Sequence, residues 1–196
     1  MLNISTIIIL KDLQMNKPIT KKVLRDRLKK FSIKNHDEKS KLICNHLGNI
    51  LTKLEPSSFG AFIPTKNEPS IWPIITQHAK KTNIYLPKFN HNLNHYEWAL
   101  FNSNLVPGKF NIQEPESSPS NPTLDLCLVP ALGIDQKFNR LGWGFGFFDR
   151  LLSDQMTHRI GIIFEQQLIS DQIHVDDWDI SLTSVITETK TYGITI

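Results

Sequence analysis

The chain has 196 residues, of which 40% are hydrophobic and 21% are charged, a composition typical of one globular domain. No apolar run approaches the roughly 20 residues that a membrane-spanning helix needs, so no membrane partner is expected. The formal net charge of +3 fits small anionic ligands and gives only thin support for nucleic-acid binding.

The first 14 residues show no pattern that would pair them with the rest of the chain. Residues 6–10 are a short apolar run, but they lack the preceding basic residues and the following cleavage site of a signal peptide. A helical pattern begins soon after Met15. We therefore expect residues 1–14 to be a disordered or mis-assigned extension and residues 15–196 to form a single domain.

Two amphipathic helices follow this extension. Thr20 is suited to cap the first helix, which is predicted to run to about Phe31, and the second helix covers residues 37–54. The apolar positions at helical spacing are Leu24, Leu28 and Phe31 in the first helix, and Leu42, Ile43, Leu47, Ile50, Leu51 and Leu54 in the second. Lys21 and Arg25 lie four residues apart, so they share one face of the first helix.

Strands and helices alternate through the rest of the chain. The predicted strands are residues 59–63, 84–86, 97–101, 124–129, 159–164 and 184–186, and the predicted helices are residues 71–81 and 147–152. Residues 114–122 hold three prolines and three serines and are predicted to be a connecting loop. Alternation of this kind predicts an α/β fold whose sheet is covered by helices on both faces.

The two cysteines do not have the spacing of a metal site. Cys44 falls in the second predicted helix, and Cys127 falls in the apolar strand over residues 124–129. These positions predict buried, reduced thiols, which are typical of a cytoplasmic protein.

The segment Arg-Leu-Gly-Trp-Gly-Phe-Gly-Phe-Phe-Asp-Arg places glycine at three alternating positions. Gly142, Gly144 and Gly146 permit positive φ and allow main-chain N–H groups to approach a ligand closely, which favours an anion-binding loop. Arg140 would add a fixed positive charge for phosphate, and Asp149 is suited to a hard divalent cation. A plain glycine-rich turn is the alternative interpretation of the same residues.

The glycine spacing differs from the common nucleotide fingerprints. A dinucleotide-binding loop has the pattern G-x-G-x-x-G in the first strand–helix turn, and a Walker loop has G-x-x-x-x-G-K-[ST]. This chain has G-x-G-x-G in its C-terminal half. If the loop binds a nucleotide, the site is therefore of another kind.

The segment from Pro130 to Leu152 closely resembles the signature of the 5-formyltetrahydrofolate cyclo-ligase family, also called methenyltetrahydrofolate synthetases. Four further segments resemble the family's motifs in the same order along the chain. They are the Lys-x-x-x-Arg helix at Lys21 and Arg25, Glu68 after Phe62-Ile63-Pro64, residues 108–115, and Asp179 before Val185-Ile186-Thr187. Together the matches cover about residues 17–190.

This resemblance implies a fold and a reaction. The fold would be a single α/β domain with a mainly parallel sheet, in a Rossmann-like three-layer arrangement. The reaction would be the ATP-dependent cyclisation of 5-formyltetrahydrofolate to 5,10-methenyltetrahydrofolate, with Mg²⁺ as the metal and ADP and phosphate as co-products. The partners would be these small molecules, with neither nucleic acid nor membrane, and the protein would be a monomer or a weak homo-oligomer.

The resemblance also implies roles for individual residues. Lys21 and Arg140 would be catalytic. The positions that match ATP contacts are Lys21, Lys22, Val23, Leu24, Arg25, Arg140, Leu141, Gly142, Trp143, Gly144, Phe145, Gly146, Phe147 and Phe148. Those that match folate contacts are Ile63, Glu68 and Phe148, and those that match Mg²⁺ ligands are Asp149 and Asp179.

Some of these positions leave other interpretations open. Phe148 stands where family members often have tyrosine, so a catalytically impaired folate-binding protein of the same fold is an alternative. Basic residues concentrate over residues 17–41, and a nucleic-acid-associated protein that uses this segment is a third interpretation. Trp143 and Phe145 match ligand contacts, but aromatic side chains of loops more often cover the core, and this is the alternative interpretation of the two residues.

Overall fold

The computed structural model of the chain describes residues 19–153 and 157–193. Its helices are α1 (Lys21–Leu28), α2 (His36–Leu54), α3 (Trp72–His78) and α4 (Phe147–Leu152). Its strands are β1 (Ser58–Gly60), β2 (Asn83–Asn90), β3 (His95–Leu100), β4 (Leu105–Pro107), β5 (Gln113–Pro115), β6 (Pro119–Ser120), β7 (Leu126–Pro130), β8 (Gly133–Asp135), β9 (Arg140–Leu141), β10 (His158–Ile162), β11 (Leu168–Ile169), β12 (Ser184–Ile186) and β13 (Thr191–Tyr192). Two short 3₁₀ helices are Lys109–Asn111 and Glu165–Gln167. The predicted extension over residues 1–14 lies outside the described residues.

Eight strands form one sheet in the order β13-β12-β10-β7-β1-β2-β3-β6. The five strands from β12 to β2 run parallel to one another. The outer strands β13, β3 and β6 are antiparallel to their neighbours. Two small sheets, β11-β8-β9 and β4-β5, lie beside the main one. The predicted mainly parallel sheet is therefore confirmed.

The side chains of β7 show that both faces of the main sheet are covered. Leu126 and Leu128 belong to a core cluster that includes residues of α2 and α3, whereas Cys127 and Val129 belong to a second cluster with Leu151 of α4. Successive side chains of a strand point to opposite faces, so helices pack on each side of β7. This arrangement confirms the predicted α/β fold with helices on both faces.

Both cysteines are free thiols. Cys127 is buried, and this burial raises the pKa of its thiol to about 12. Cys44 is only half-buried, and its Sγ–H donates to the main-chain oxygen of Ser70 at 3.3 Å. Within the described ranges, no helix combines the length and the apolar character needed to cross a membrane.

The first two helices differ from the prediction in their ends and in the burial of three residues. α1 ends at Leu28, because the amides of Lys30 and Phe31 bond to carbonyls three residues back and tighten the chain into turns. Phe31 therefore lies beyond the helix and is 37% exposed. In α2, Leu42 and Leu54 are both 43% exposed, although they fit the apolar spacing.

The prediction of a connecting loop over residues 114–122 is wrong in part. β5 extends to Pro115, and β6 is Pro119–Ser120. Both strands lie at the edge of a sheet, where proline's missing N–H is tolerated. A strand of two or three residues shows little period of its own, and β4, β8, β9, β11 and β13 also went unpredicted.

Candidate active site

A cavity of about 710 Å³ opens beyond the carboxyl ends of β1 and β7. Phe62 and Ile63 reach it just after β1, and Pro130 reaches it at the end of β7. Open α/β sheets bind their ligands in crevices at this end of the strands. The position of the cavity is thus the one expected for a ligand site.

The cavity wall brings together most of the residues predicted from the sequence. They are Lys21, Arg25, Ile63, Glu68, Arg140, Gly142, Trp143, Gly144, Phe145, Gly146, Phe147, Phe148, Asp149 and Asp179.

Four predicted ATP-binding residues lie outside the cavity wall. Leu24 and Leu141 are fully buried in a separate apolar cluster. Lys22 and Val23 are exposed on α1. Each residue of a helix is turned by about 100° from the one before it, so Lys22 cannot share the cavity-facing side that Lys21 occupies.

The glycines of the loop allow conformations and close contacts that a side chain would hinder. Gly144 and Gly146 have φ values of +106° and +63°, which L-residues adopt only with strain. A Cβ atom at Gly142 would lie 2.7 Å from Nη1 of Arg140. The loop is also tied to α1, because Nε of Arg25 donates to the main-chain oxygen of Gly142 at 2.9 Å.

Arg140 is a buried cation at the cavity wall. Its Nη2 is 2.7 Å from Oδ2 of Asp149, and the two side chains are only 6% and 14% exposed. Nε of Arg140 is buried and has no hydrogen-bond partner among the described residues. A buried donor without a partner is unfavourable, so an acceptor oxygen from a ligand would stabilise this site.

Lys21 bridges two acids at the cavity wall. Its Nζ donates to Oδ2 of Asp176 at 2.8 Å and also to Oδ2 of Asp179. Burial by itself would lower the pKa of Lys21, but the two hydrogen bonds and the two negative charges raise it overall. The bond from Lys21 also lowers the pKa of Asp176. The ammonium group is therefore charged at neutral pH.

The two acids predicted to bind a metal both line the cavity, and the segments that carry them are joined by a hydrogen bond. The N–H of Ile180, the residue after Asp179, donates to Oδ1 of Asp149 at 3.4 Å. Over residues 19–153 and 157–193, no group of three or more His, Cys, Asp or Glu side chains could hold a metal ion. Mg²⁺ is commonly bound by one or two carboxylates plus substrate phosphates, so this pair fits a metal that arrives with a phosphate ligand.

Glu68 is the buried acid of the cavity and is 5% exposed. The N–H and the hydroxyl of Thr65 donate to its Oε2 at 2.8 and 2.9 Å, whereas its Oε1 accepts one long bond, 3.4 Å, from Nε1 of Trp143. Burial raises the pKa of Glu68, and these three bonds oppose the shift. Oε1 thus has room to accept a hydrogen bond from a ligand.

The aromatic side chains of the glycine loop do not lie in the core. Trp143 is 39% exposed and Phe145 is 58% exposed, and both line the cavity. The alternative that they cover the core is wrong, because the glycines on either side of each place them on an open loop. Phe145 instead stacks on both Phe110 and Phe147, with ring-centroid distances of 5.6 and 5.4 Å, and those two rings are themselves 6.1 Å apart.

A comparison with known protein families matches residues 14–188 to the model of the 5-formyltetrahydrofolate cyclo-ligase family. The chain belongs to the 5-formyltetrahydrofolate cyclo-ligase family. The matched range includes every residue of the cavity wall from Lys21 to Asp179. The family predicted from the sequence is confirmed.

Several curated members of the cyclo-ligase family are similar to the chain. The 5-formyltetrahydrofolate cyclo-ligase of Mus musculus is 30% identical over 145 residues, which cover 65% of this chain and 71% of the relative. That of Haemophilus influenzae is 24% identical over 155 residues, which cover 74% of this chain and 82% of the relative. The match to the Escherichia coli K12 protein is 32% identical over 97 residues and covers 46% of this chain and 53% of the relative.

Solved structures of two family members share the fold. The 5,10-methenyltetrahydrofolate synthetase of Aquifex aeolicus has a TM-score of 0.74 at 24% identity, and the superposition covers 88% of this chain and 89% of the Aquifex chain. The synthetase of Mycoplasma pneumoniae has a TM-score of 0.69 at 22% identity, and the superposition covers 87% of this chain and 99% of the Mycoplasma chain. These similarities support the cyclo-ligase fold predicted from the sequence.

Among the cavity residues of this cyclo-ligase family member that the sequence did not indicate are Asp176, Tyr96 and Phe110. Asp176 precedes Asp179 by three residues, a spacing that could have indicated a shared turn. Tyr96 lines the cavity, and burial together with the charge of Glu114 raises its pKa to about 12, so its hydroxyl stays protonated. Phe110 lies in a motif that the resemblance identified, but no role was assigned to its ring.

Proposed function

We propose that this chain uses ATP and Mg²⁺ to convert 5-formyltetrahydrofolate to 5,10-methenyltetrahydrofolate, releasing ADP and phosphate. Family membership supports the reaction class. The observation that carries the proposal is that a single cavity is lined both by the cations Lys21, Arg25 and Arg140 and by the buried acid Glu68. A phosphoryl donor and a folate can therefore meet in one space.

The reaction requires activation because a formamide oxygen is a poor leaving group. Transfer of the γ-phosphoryl group of ATP to the formyl oxygen forms an O–P bond and releases ADP. The neighbouring folate amine then attacks the formyl carbon and loses its proton. The C–O bond breaks, and phosphate leaves with the former formyl oxygen.

Lys21, Arg25 and Arg140 supply the positive charge that phosphoryl transfer needs, since this chemistry depends mostly on positioning and charge neutralisation. Arg25 is held on the glycine loop by its 2.9 Å bond to Gly142. The Nε–H of Arg140 has no acceptor within residues 19–153 and 157–193, and Lys21 is held at the wall by its two acids. We assign Lys21 and Arg140 as the catalytic cations and Arg25 as an ATP-binding residue.

Asp149 and Asp179 would hold Mg²⁺ together with phosphate oxygens. When bound, the ion would neutralise charge on the transferred phosphoryl group. The carboxylates are paired with Arg140 and Lys21 in the structure described here. These two cations can move from the carboxylates to the phosphates of ATP, so we expect metal and ATP to bind together rather than singly.

Glu68, Ile63 and Phe148 are assigned to the folate. Oε1 of Glu68 can accept hydrogen bonds from the amino and ring N–H groups of the pterin, because its bond from Trp143, the only one that the described residues give it, is long. Phe148 is half-buried and packs against both core clusters, so its ring is held firmly at the cavity. Ile63 adds apolar surface just after β1.

The proposal is tested by following the near-ultraviolet absorbance of the methenyl product with MgATP and 5-formyltetrahydrofolate present. Product should form with ATP and should not form without it. Lys21→Met should lower kcat/KM by about 100-fold or more, the cost of removing one donor to a developing charge. Lys30→Met is the matched control, because Lys30 is exposed and outside the cavity wall. Folded native chain that forms no product would reject the proposal.

A folate-binding protein without turnover is the second candidate function. Phe148 favours it, because its ring lacks the hydroxyl that tyrosine would supply at this position. Tight binding of 5-formyltetrahydrofolate without ADP release would support this alternative. Isothermal titration with the folate, alongside the absorbance assay, separates the two functions.

A further inference from the structure

The segment from Gly108 to Ile112 forms a strap beside β2. The buried carboxylate of Glu114 fixes this strap. Glu114 is 5% exposed. Its Oε1 accepts from the N–H of Lys109 at 3.1 Å, and its Oε2 accepts from the N–H of Phe89 at 3.2 Å. A Cβ atom at Gly108 would lie 2.1 Å from Cδ of Glu114, so the strap packs directly on the acid. Charge-assisted bonds of this kind hold the strap against β2.

The strap presents Phe110 at the cavity. The strap is closed by two main-chain bonds, from Gly108 N to Ile112 O at 2.9 Å and from Ile112 N to Lys109 O at 3.2 Å. Phe110 and Asn111 have φ values of 57° and 59°, a left-handed conformation that is uncommon outside glycine. Phe110 is also 54% exposed and lines the cavity. The strained backbone at Phe110 is therefore not explained by burial of its ring in the core, because the ring lies at the cavity.

Phe110 forms an aromatic wall with two residues of the glycine loop, Phe145 and Phe147. The rings of Phe110 and Phe145 are 5.6 Å apart at 27°, and those of Phe145 and Phe147 are 5.4 Å apart at 19°. Tyr96 meets Phe147 edge-on at 5.1 Å. Such a wall suits a flat conjugated ring, because aromatic rings stack favourably with an offset. Both substrates of the proposed reaction carry a flat ring system.

We propose that Glu114 is a positioning residue that sets this aromatic wall for the flat ring of a substrate. Glu114 does not line the cavity, so it acts through the strap and Phe110 rather than by touching the ligand. The inference rests on the proposed function for its substrates. The ring is either the pteridine or aminobenzoyl group of the folate or the adenine of ATP, and separate KM values distinguish them.

The test compares Glu114→Gln, Phe110→Leu and the double variant, with kcat and the KM for each substrate measured. Both single variants should raise the KM of the same substrate by about 2- to 10-fold, the range of one aromatic contact, while kcat stays within about twofold. The double variant should match Phe110→Leu, because both changes remove the same contact. Glu116→Gln is the control, since Glu116 is exposed two residues away.

A second readout needs no turnover. The amides of Lys109 and Phe89 should exchange with solvent faster in Glu114→Gln than in the native chain or in Glu116→Gln. Unchanged exchange at both amides would overturn the inference, and so would additive KM effects or unchanged KM values for both substrates. If Glu114→Gln does not fold, Phe110→Leu still tests the role of the aromatic wall, because the ring of Phe110 is exposed and is not needed for folding. Unchanged KM values for both substrates in Phe110→Leu would overturn that role. Native protein that forms no methenyl product would instead reject the proposed function.

Discussion

The ion pair between Arg140 and Asp149 should make a measurable contribution to stability that is separate from catalysis. Asp149→Asn keeps the shape of the side chain but removes the negative charge that faces the buried guanidinium. Two unit charges about 4 Å apart interact by about 4 kcal/mol at an effective dielectric constant of about 20. The asparagine oxygen can still accept a hydrogen bond, which returns about 1 kcal/mol. We therefore expect the free energy of unfolding to fall by about 3 kcal/mol, comparable to the cost of breaking other buried pairs.

Urea unfolding followed by tryptophan fluorescence measures this loss, and Tm should fall by roughly 6–12 °C for a chain of this size. Asp171→Asn is the matched control. Asp171 pairs with Arg27 at 2.6 Å, but the two side chains are 29% and 46% exposed. An exposed pair contributes at most about 1 kcal/mol. Equal losses in the two variants would show that burial does not strengthen the Arg140–Asp149 pair.

Three further predictions concern the glycine loop and the folate side of the cavity. Glu68→Gln should stabilise the protein at pH 8 while it weakens folate binding. Burial raises the pKa of Glu68, so the folded protein becomes less stable as the pH rises above the ordinary value of 4.5 and this carboxyl group must ionise. Between pH 5 and pH 8, the free energy of unfolding measured in urea should therefore fall more in the native chain than in the variant. Gly144→Ala should cost about 1–3 kcal/mol of unfolding free energy because of its φ of +106°, whereas Gly48→Ala in α2 should cost nothing; equal effects in urea unfolding would contradict this. Phe148→Tyr should change kcat/KM by less than about tenfold, the range of one hydrogen bond, and a larger gain would show that the hydroxyl is a missing part of the site.

The sequence predicted the fold best where an element is long or has a strong local signal. α4 was predicted with the bounds that the structure has, and α2 differed by one residue at its start. Thr20 caps α1 as predicted, with its Oγ1 accepting from the N–H of Val23. Positive φ at Gly144 and Gly146 also agrees with the expectation from composition, because few other residues adopt that conformation.

The features that the sequence did not predict depend on contacts between distant segments. Asp176 joins the site because Lys21, 155 residues earlier in the chain, donates to it. The exposure of Trp143 and Phe145 depends on the path of the whole loop, which local periodicity does not describe. The edge strands β5 and β6 exist because neighbouring segments pair with them, although their prolines favour a loop.

The fate of the formyl oxygen shows whether this oxygen is phosphorylated during the reaction. The native chain is incubated with MgATP and 5-formyltetrahydrofolate that carries oxygen-18 in its formyl group, and the released phosphate is analysed by mass spectrometry. We expect methenyl product and ADP in equal amounts, with the label in inorganic phosphate, because the formyl oxygen leaves with the transferred phosphoryl group. Methenyl product accompanied by unlabelled phosphate would contradict the proposed phosphorylation of the formyl oxygen.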